Sequence, residues 1–162
     1  MLKLATIFDI PTIQHLAHKI WNEHYVPFIG QEQVDYMLDK FYSTASLSEQ
    51  INEGQNFYLI ENEGVAIGFL SISQKEKGDY FLHKFYIDGR GKGLGEKTFT
   101  TLLRLLENPK TIRLTVNKHN FKSINFYFKM GFKIEKTAVF DIGNGFVMDD
   151  FVMYIKNEVF EC

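Results

Sequence analysis

Apolar residues recur at helical spacing early in the chain, at Ile10, Ile13, Leu16, Ala17, Ile20 and Trp21. This predicts an amphipathic helix over "DIPTIQHLAHKIWNEHY", with Asp9 as a candidate N-cap and Pro11 in the first turn. "LKLATI" before it reads as a first strand. "QEQVDYMLDKFYS" repeats the helical pattern through Val34, Met37, Leu38 and Phe41, and a short third helix, "SLSEQINEG", stops at Gly54. The texture then changes to alternation. "NFYLIEN" and "VAIGFLSIS" read as strands joined by a tight turn at Glu63-Gly64, and "DYFLHKFYID" as a longer strand entered through Lys77-Gly78. Residues 93–107 read as a helix with Leu94, Phe99, Leu102, Leu103 and Leu106 inward. "TIRLTVN" is a strand and "NFKSINFYFKMG" a helix ending at Gly131. "FKIEKTAVFDI", the turn "GNG" and "FVMDDFVMYIK" close the chain as a hairpin. The order β-α-α-(α)-β-β-β-α-β-α-β-β describes one mixed α/β domain in which three strands run before a glycine-rich loop.

Composition narrows the classes. A chain of 162 residues fits a single domain, 1–162, that buries about two-thirds of its unfolded surface. Eighteen Lys plus Arg against twenty Asp plus Glu leave a net charge of −2, so nothing overall draws the protein to nucleic acid or an anionic membrane. Basic residues are scattered without an aromatic-basic stripe, which gives nucleic-acid binding no support. Cys162 is the only cysteine, so no internal disulfide can form, and neither a signal peptide nor an 18-residue apolar run is present. The expectation is a soluble, cytoplasmic protein. His15 and His18 lie three apart on one helix without an apparent third ligand, so no metal site is expected. Nothing in the chain excludes a homodimer.

The chemistry concentrates in "FYIDGRGKGLGEKT", residues 85–98. A P-loop needs a hydroxyl residue directly after its Lys, whereas Lys92 is followed by Gly93. The dinucleotide fingerprint needs glycines at offsets 0, 2 and 5, a set that Gly89, Gly91, Gly93 and Gly95 never supply. What remains is Arg90-Gly91-Lys92-Gly93-Leu94-Gly95 between a strand and an amphipathic helix. Its backbone N–H groups and the positive end of the helix favour a pyrophosphate. On the glycines alone, a solvated surface turn is an equal reading.

At this point the sequence resembles the GNAT superfamily of acetyl-CoA-dependent N-acetyltransferases. Arg90 to Gly95 match its Gln/Arg-x-x-Gly-x-Gly/Ala signature. About thirty residues on, "VNKHNFKSINFYFKMGFK" is similar to the family's second region, with Asn120, Ser123, Phe126, Tyr127, Gly131 and Phe132 in its slots. "ATIFDIPTIQHLAHKIWNEHY", "QVDYMLDKFYS" and "FDIGNGFVMDDFVM" are similar to the bacterial branch that includes polyamine N-acetyltransferases. The loop departs from the family in one respect. Only Asp88-Gly89 separates Ile87 from Arg90, which suggests a tight turn with Gly89 at positive φ and brings a carboxylate near the supposed pyrophosphate.

The resemblance implies a GNAT-type α/β (α+β) fold with a mixed central sheet of about seven strands, a splayed parallel pair, and flanking helices. It implies acetyl transfer from acetyl-CoA to a primary amine, a small amine or polyamine. Acetylation of a protein N-terminus or lysine is the enzymatic alternative, and a silent acyl-CoA-binding or sensing module the non-enzymatic one. Backbone groups of Phe85, Tyr86 and Ile87 would pair with the pantetheine arm. Amides of Arg90, Gly91, Lys92, Gly93, Leu94 and Gly95 would hold the pyrophosphate, and Asn117, Asn120, Ser123 and Phe126 would line the same cofactor. Tyr127 is the expected acid for the leaving thiolate, its alternative being a core aromatic. His83 is the candidate base or water-positioning residue, against a structural histidine. Glu23, Tyr25 and Asp149 are the candidate acceptor contacts. Asp149 and Asp150 are adjacent in a strand, so alternation sends one inward and the other to solvent.

Overall fold

The chain alternates helices and strands as the periodicity predicts. A computed structural model describes residues 1–89 and 93–159. The strands are β1 (Leu2–Leu4), β2 (Asn56–Asn62), β3 (Val65–Glu76), β4 (Asp79–Ile87), β5 (Thr111–Asn117), β6 (Lys133–Gly143) and β7 (Phe146–Lys156). The helices are α1 (Ile10–His24), α2 (Val26–Ile29), α3 (Gln31–Tyr42), α4 (Thr44–Asn52), α5 (Leu94–Leu105) and α6 (Phe121–Met130). The seven strands form a mixed sheet in the order β1-β2-β3-β4-β5-β7-β6. Its described pairings are antiparallel apart from one parallel pair, β4 with β5. That ladder covers Asp79–Phe81 against Thr111–Arg113 and ends there. Among the described residues no helix is long and apolar enough to cross a membrane.

Two compact units divide the chain. The first comprises Met1–Ser73 and Lys84–Leu105. Its start differs from the expectation at Asp9. That carboxylate accepts from the Thr6 N–H at 2.9 Å and closes a capping box around a short 3-10 turn, so it makes no side-chain cap to α1. β1 is correspondingly shorter than "LKLATI". Pro27 sits in the first turn of the extra helix α2, where a missing N–H costs nothing. Ser43 caps α4 by accepting from the Ser46 N–H at 3.1 Å. Inward residues of α1, α3, α4, β2 and β3 form the core, with Ile13, Ala17, Val34, Leu47, Phe69 and Leu70 fully buried. Each large apolar side chain so buried contributes about 1.5–3 kcal/mol. α5 buries Thr98, Phe99 and Leu102, whereas the predicted inward residues Leu94, Leu103 and Leu106 are half-buried.

Gly68 shapes this unit beside the end of β4. A Cβ there would stand 2.2 Å from the Tyr86 carbonyl oxygen and 2.9 Å from Ile87 Cα. Only glycine admits that approach. The Asp88 N–H donates to the Ile67 carbonyl at 2.6 Å, and a bulge at Ile60/Glu61 absorbs the register shift opposite.

The second unit comprises Gln74–His83 and Leu106–Cys162. β5 alternates, with Ile112, Leu114 and Val116 buried and the residues between them half-buried. It pairs along its length with β7, from Thr111↔Lys156 to Asn117↔Asp150. Tyr80 at the start of β4 donates its hydroxyl to the Glu107 carbonyl at 3.0 Å and accepts from the Glu107 N–H. α6 is capped at both ends as its sequence requires. Asn120 Oδ1 accepts from the Ser123 N–H at 3.2 Å, and Gly131 takes the left-handed conformation at φ 104° while the Phe132 N–H returns to the Tyr127 carbonyl. The hairpin of β6 and β7 turns at Asn144-Gly145, both at positive φ.

Candidate active site

The C-terminal half of α1 meets the end of β4 through aromatic rings. Trp21 in the last turn of α1 and Tyr25, which caps the C-terminus of that helix, stack at 4.6 Å. Tyr86 from β4 meets Trp21 edge-on at 5.8 Å and Tyr25 at 5.9 Å. Tyr42 from α3 lies 6.0 Å from Trp21, and Phe69 from β3 lies 5.4 Å from Tyr86. Trp21, Tyr42 and Phe69 are buried, while Tyr25 and Tyr86 keep part of their surface in solvent. Burial, then the neighbouring Tyr25, pushes the Tyr42 phenol far above its ordinary 10, against an opposing hydrogen bond from Tyr86. Among the described residues the buried Trp21 Nε1–H has no hydrogen bond of ordinary geometry, although it faces the Tyr42 oxygen closely enough to oppose the rise of that phenol's pKa.

Two carboxylates come from the same segments, Glu23 two residues before Tyr25 and Asp88 two residues after Tyr86. Ligand atoms of Glu23, His24 and Asp88 lie within 4.8 Å of one another. Asp88 Oδ2 accepts from Lys19 Nζ at 2.6 Å, and this hydrogen bond, with the attraction of the two charges, raises the Lys19 pKa. The carboxylate that the sequence places near the glycine loop is thus neutralised by a lysine from α1.

Gly89 takes φ 114°, the tight turn expected from the short loop. Arg90, Gly91 and Lys92 lie outside the described residues. Beyond them Gly93 takes φ 65°, with no atom of the described residues within 4 Å of where a Cβ would stand. Its carbonyl accepts from the Lys97 N–H at 3.0 Å and opens α5. Leu94 and Gly95 form the first turn of that helix. A glycine of this conformation at a helix N-terminus fits the phosphate end of coenzyme A.

The second unit brings together other predicted residues. Asn117, the last residue of β5, accepts from the His119 N–H at 2.8 Å. Asn120 is 6% exposed with its side-chain oxygen committed to the α6 cap, and Ser123 supplies the capped N–H. Phe126 and Tyr127 meet edge-on at 5.5 Å, and Tyr127 meets Phe132 at 5.4 Å. Tyr127 is therefore packed as a core aromatic, whatever its hydroxyl does. His83 is half-buried with its ring 4.9 Å from Phe81.

Alternation separates the two aspartates of β7. Asp149 keeps about half of its side chain exposed and pairs with Lys118 at 2.5 Å. Asp150 is 2% exposed. Burial, then the charge of Asp149, pushes its carboxyl up from 3.8 to about 6, against a hydrogen bond with Thr115 and the attraction of Lys118. The inward aspartate is thus Asp150, and sequence reasoning named the other one. Lys84 was also missed, although its position between Leu82 and Tyr86 in the alternation of β4 puts it on the apolar face.

Residues 25–148 match the family model described as an acetyltransferase (GNAT) domain. The chain belongs to the GNAT acetyltransferase family. A spermidine N(1)-acetyltransferase of Thermoplasma acidophilum is 23% identical to this acetyltransferase over 159 residues, covering 91% of this chain and 94% of the relative. The crystal structure of the PaiA N-acetyltransferase of the same organism, in complex with coenzyme A, superposes with a TM-score of 0.80 at 21% identity. It covers 96% of this chain and 98% of that one. Spermidine N-acetyltransferase from Vibrio cholerae, in complex with CoA and spermine, gives 0.72 at 19% identity over 100% and 98% of the two chains. At these identities the solved structures establish the GNAT fold.

Proposed function

We propose that this GNAT acetyltransferase transfers the acetyl group of acetyl-CoA to a primary amine, a small amine or polyamine. The observation that carries the acceptor class is the half-exposed pair Tyr25 and Tyr86, with the exposed carboxylate of Glu23 two residues before Tyr25. Ring faces attract alkylammonium groups, and carboxylates add charge complementarity. The spermidine acetyltransferases among its relatives agree with that chemistry.

Acetyl-CoA supplies the acetyl thioester. The backbone of Phe85, Tyr86 and Ile87 pairs with the pantetheine arm as an added strand. Gly93, Leu94 and Gly95, with Arg90, Gly91 and Lys92, take the pyrophosphate. Asn117, Asn120, Ser123 and Phe126 line the arm, Asn120 through its amide nitrogen because its oxygen serves the helix cap. The amine must lose a proton before it attacks, and His83 accepts it directly or through water. A strand N–H of Tyr86 or Ile87 steadies the charge that develops on the carbonyl oxygen. The Tyr127 phenol returns a proton to the departing thiolate. Glu23 and Tyr25 hold the acceptor cation, and the β7 aspartates, Asp149 at the surface and Asp150 inside, add negative charge.

The test follows CoA release with acetyl-CoA and a panel of spermidine, spermine, simple alkylamines and peptides. Saturable turnover of small amines or polyamines in preference to peptides is expected. Tight CoA binding without turnover of any amine would overturn the assignment, and preference for peptides would overturn the acceptor class.

A further inference from the structure

Lys84 places a charge on the apolar face of β4 and, among the described residues, meets no counter-charge. Its Nζ donates to Gln50 Oε1 at 2.6 Å and reaches Gln55 Oε1 at 3.4 Å. It lies 5.2 Å from the centre of the Phe57 ring and 5.8 Å from that of Tyr42. Both glutamines are themselves fixed. Gln50 Nε2 donates to the Phe41 carbonyl at 2.9 Å and to Ser46 Oγ at 3.0 Å, and Ser71 Oγ donates to Gln55 Oε1 at 2.6 Å. The neighbours are Tyr42 from α3, Gln50 from α4, Gln55 before β2, Phe57 from β2, Ser71 from β3 and Tyr86 on β4. None of them is an acid, and burial alone pushes the ammonium down from 10.5 to about 8.

A half-buried ammonium without a carboxylate opposes folding, and a hydrophobic residue of similar length would fit its stem better. Such a cost, borne next to a site, points to a role in the site. The ammonium holds the face of Tyr42, and the hydroxyl of Tyr42 interacts with Tyr86, the ring that packs edge-on against Tyr25.

We propose that Lys84 is a positioning residue for the acceptor wall: its ammonium, fixed by Gln50 and Gln55, clamps Tyr42, which holds Trp21 and Tyr86 in place. The acceptor part of this inference rests on the amine-acetyltransferase reading; the clamp itself does not. As pH rises through about 8, Lys84 loses its proton, and the cation–ring attraction with it.

The test uses Lys84→Met in the full chain and the fluorescence of Trp21, the only tryptophan. Between about pH 7 and 9 the wild-type emission should shift, and that of Lys84→Met should not. His18 and His24 on α1 are present in both proteins, so the comparison cancels their contribution. Gln50→Leu removes the 2.6 Å acceptor and should move the wild-type transition to lower pH. In turnover assays Lys84→Met should raise the KM for the amine about five- to tenfold, with kcat within about twofold and the KM for acetyl-CoA unchanged. Its melting temperature at neutral pH should not fall, which separates loss of positioning from loss of fold. Identical emission profiles in wild type and Lys84→Met, an unmoved transition in Gln50→Leu, or an unchanged amine KM would each overturn the proposal. If no amine is turned over, the amine reading fails and the fluorescence comparison alone decides the clamp.

Discussion

Asp150→Asn separates what the buried carboxylate costs the fold from what it does for the site. The carboxyl is pushed from 3.8 to about 6, first by burial and then by Asp149, so the fold disfavours its ionised form. At 1.36 kcal/mol per pH unit, that displacement is worth about 3 kcal/mol at most. Below pH 3.8 both the folded and unfolded chains hold the proton, and the cost is absent. Between there and about pH 6 the unfolded chain releases the proton first, so stability falls as pH rises, and above pH 6 the full cost stands. Asparagine keeps the size of the side chain and a partner for Thr115 but cannot ionise. Urea unfolding at pH 4, 5, 6 and 7 should therefore show the variant slightly less stable than wild type at pH 4, where the ionisation cost has nearly gone, and the order reversing as pH rises. The variant should gain on wild type up to pH 7, by about 2 kcal/mol once an imperfectly paired amide is allowed about 1 kcal/mol. Amine acetylation at pH 7 should fall in the same protein, since stability gained while activity is lost marks a site residue. A gap that does not change with pH, or a variant less stable than wild type at pH 7, would refute the reasoning.

Gly68→Ala should be strongly destabilising. Its Cβ would meet two backbone atoms of β4 that cannot rotate away. A cost of about 3 kcal/mol lowers the melting temperature by about 6–12 °C, and an unchanged melt would show that the strands separate freely there. Tyr127→Phe keeps the ring against Phe126 and Phe132 and should leave the melt and the acetyl-CoA affinity nearly unchanged. Its kcat should drop about a hundredfold if the phenol supplies the proton, and an unaltered kcat would leave Tyr127 a core aromatic.

These residues differ in how readable they were, for physical reasons. α1, α3 and α6 could be drawn from apolar spacing, α6 also from the glycine that ends it, and the turns at Glu63-Gly64 and Asn144-Gly145 from their glycines at positive φ. α2 was missed because Pro27 reads as a breaker unless it falls in a first turn. Asp9 was read as a cap for α1, yet Thr6 three residues earlier competes for the same carboxylate. The two aspartates show the limit most sharply. Period two sends them to opposite faces, but which face is covered depends on the partners of β7. Those partners set Asp150 between Asn117 of β5 and Ala138 of β6. Lys84 fails for the same reason on a longer scale, since its acceptors Gln50 and Gln55 stand 34 and 29 residues away in the chain. A charge on an apolar face is legible from sequence as an anomaly. What answers it is a matter of tertiary contact, so a lysine that alternation places between Leu82 and Tyr86 should prompt a search for distant neutral acceptors before it is assigned to solvent.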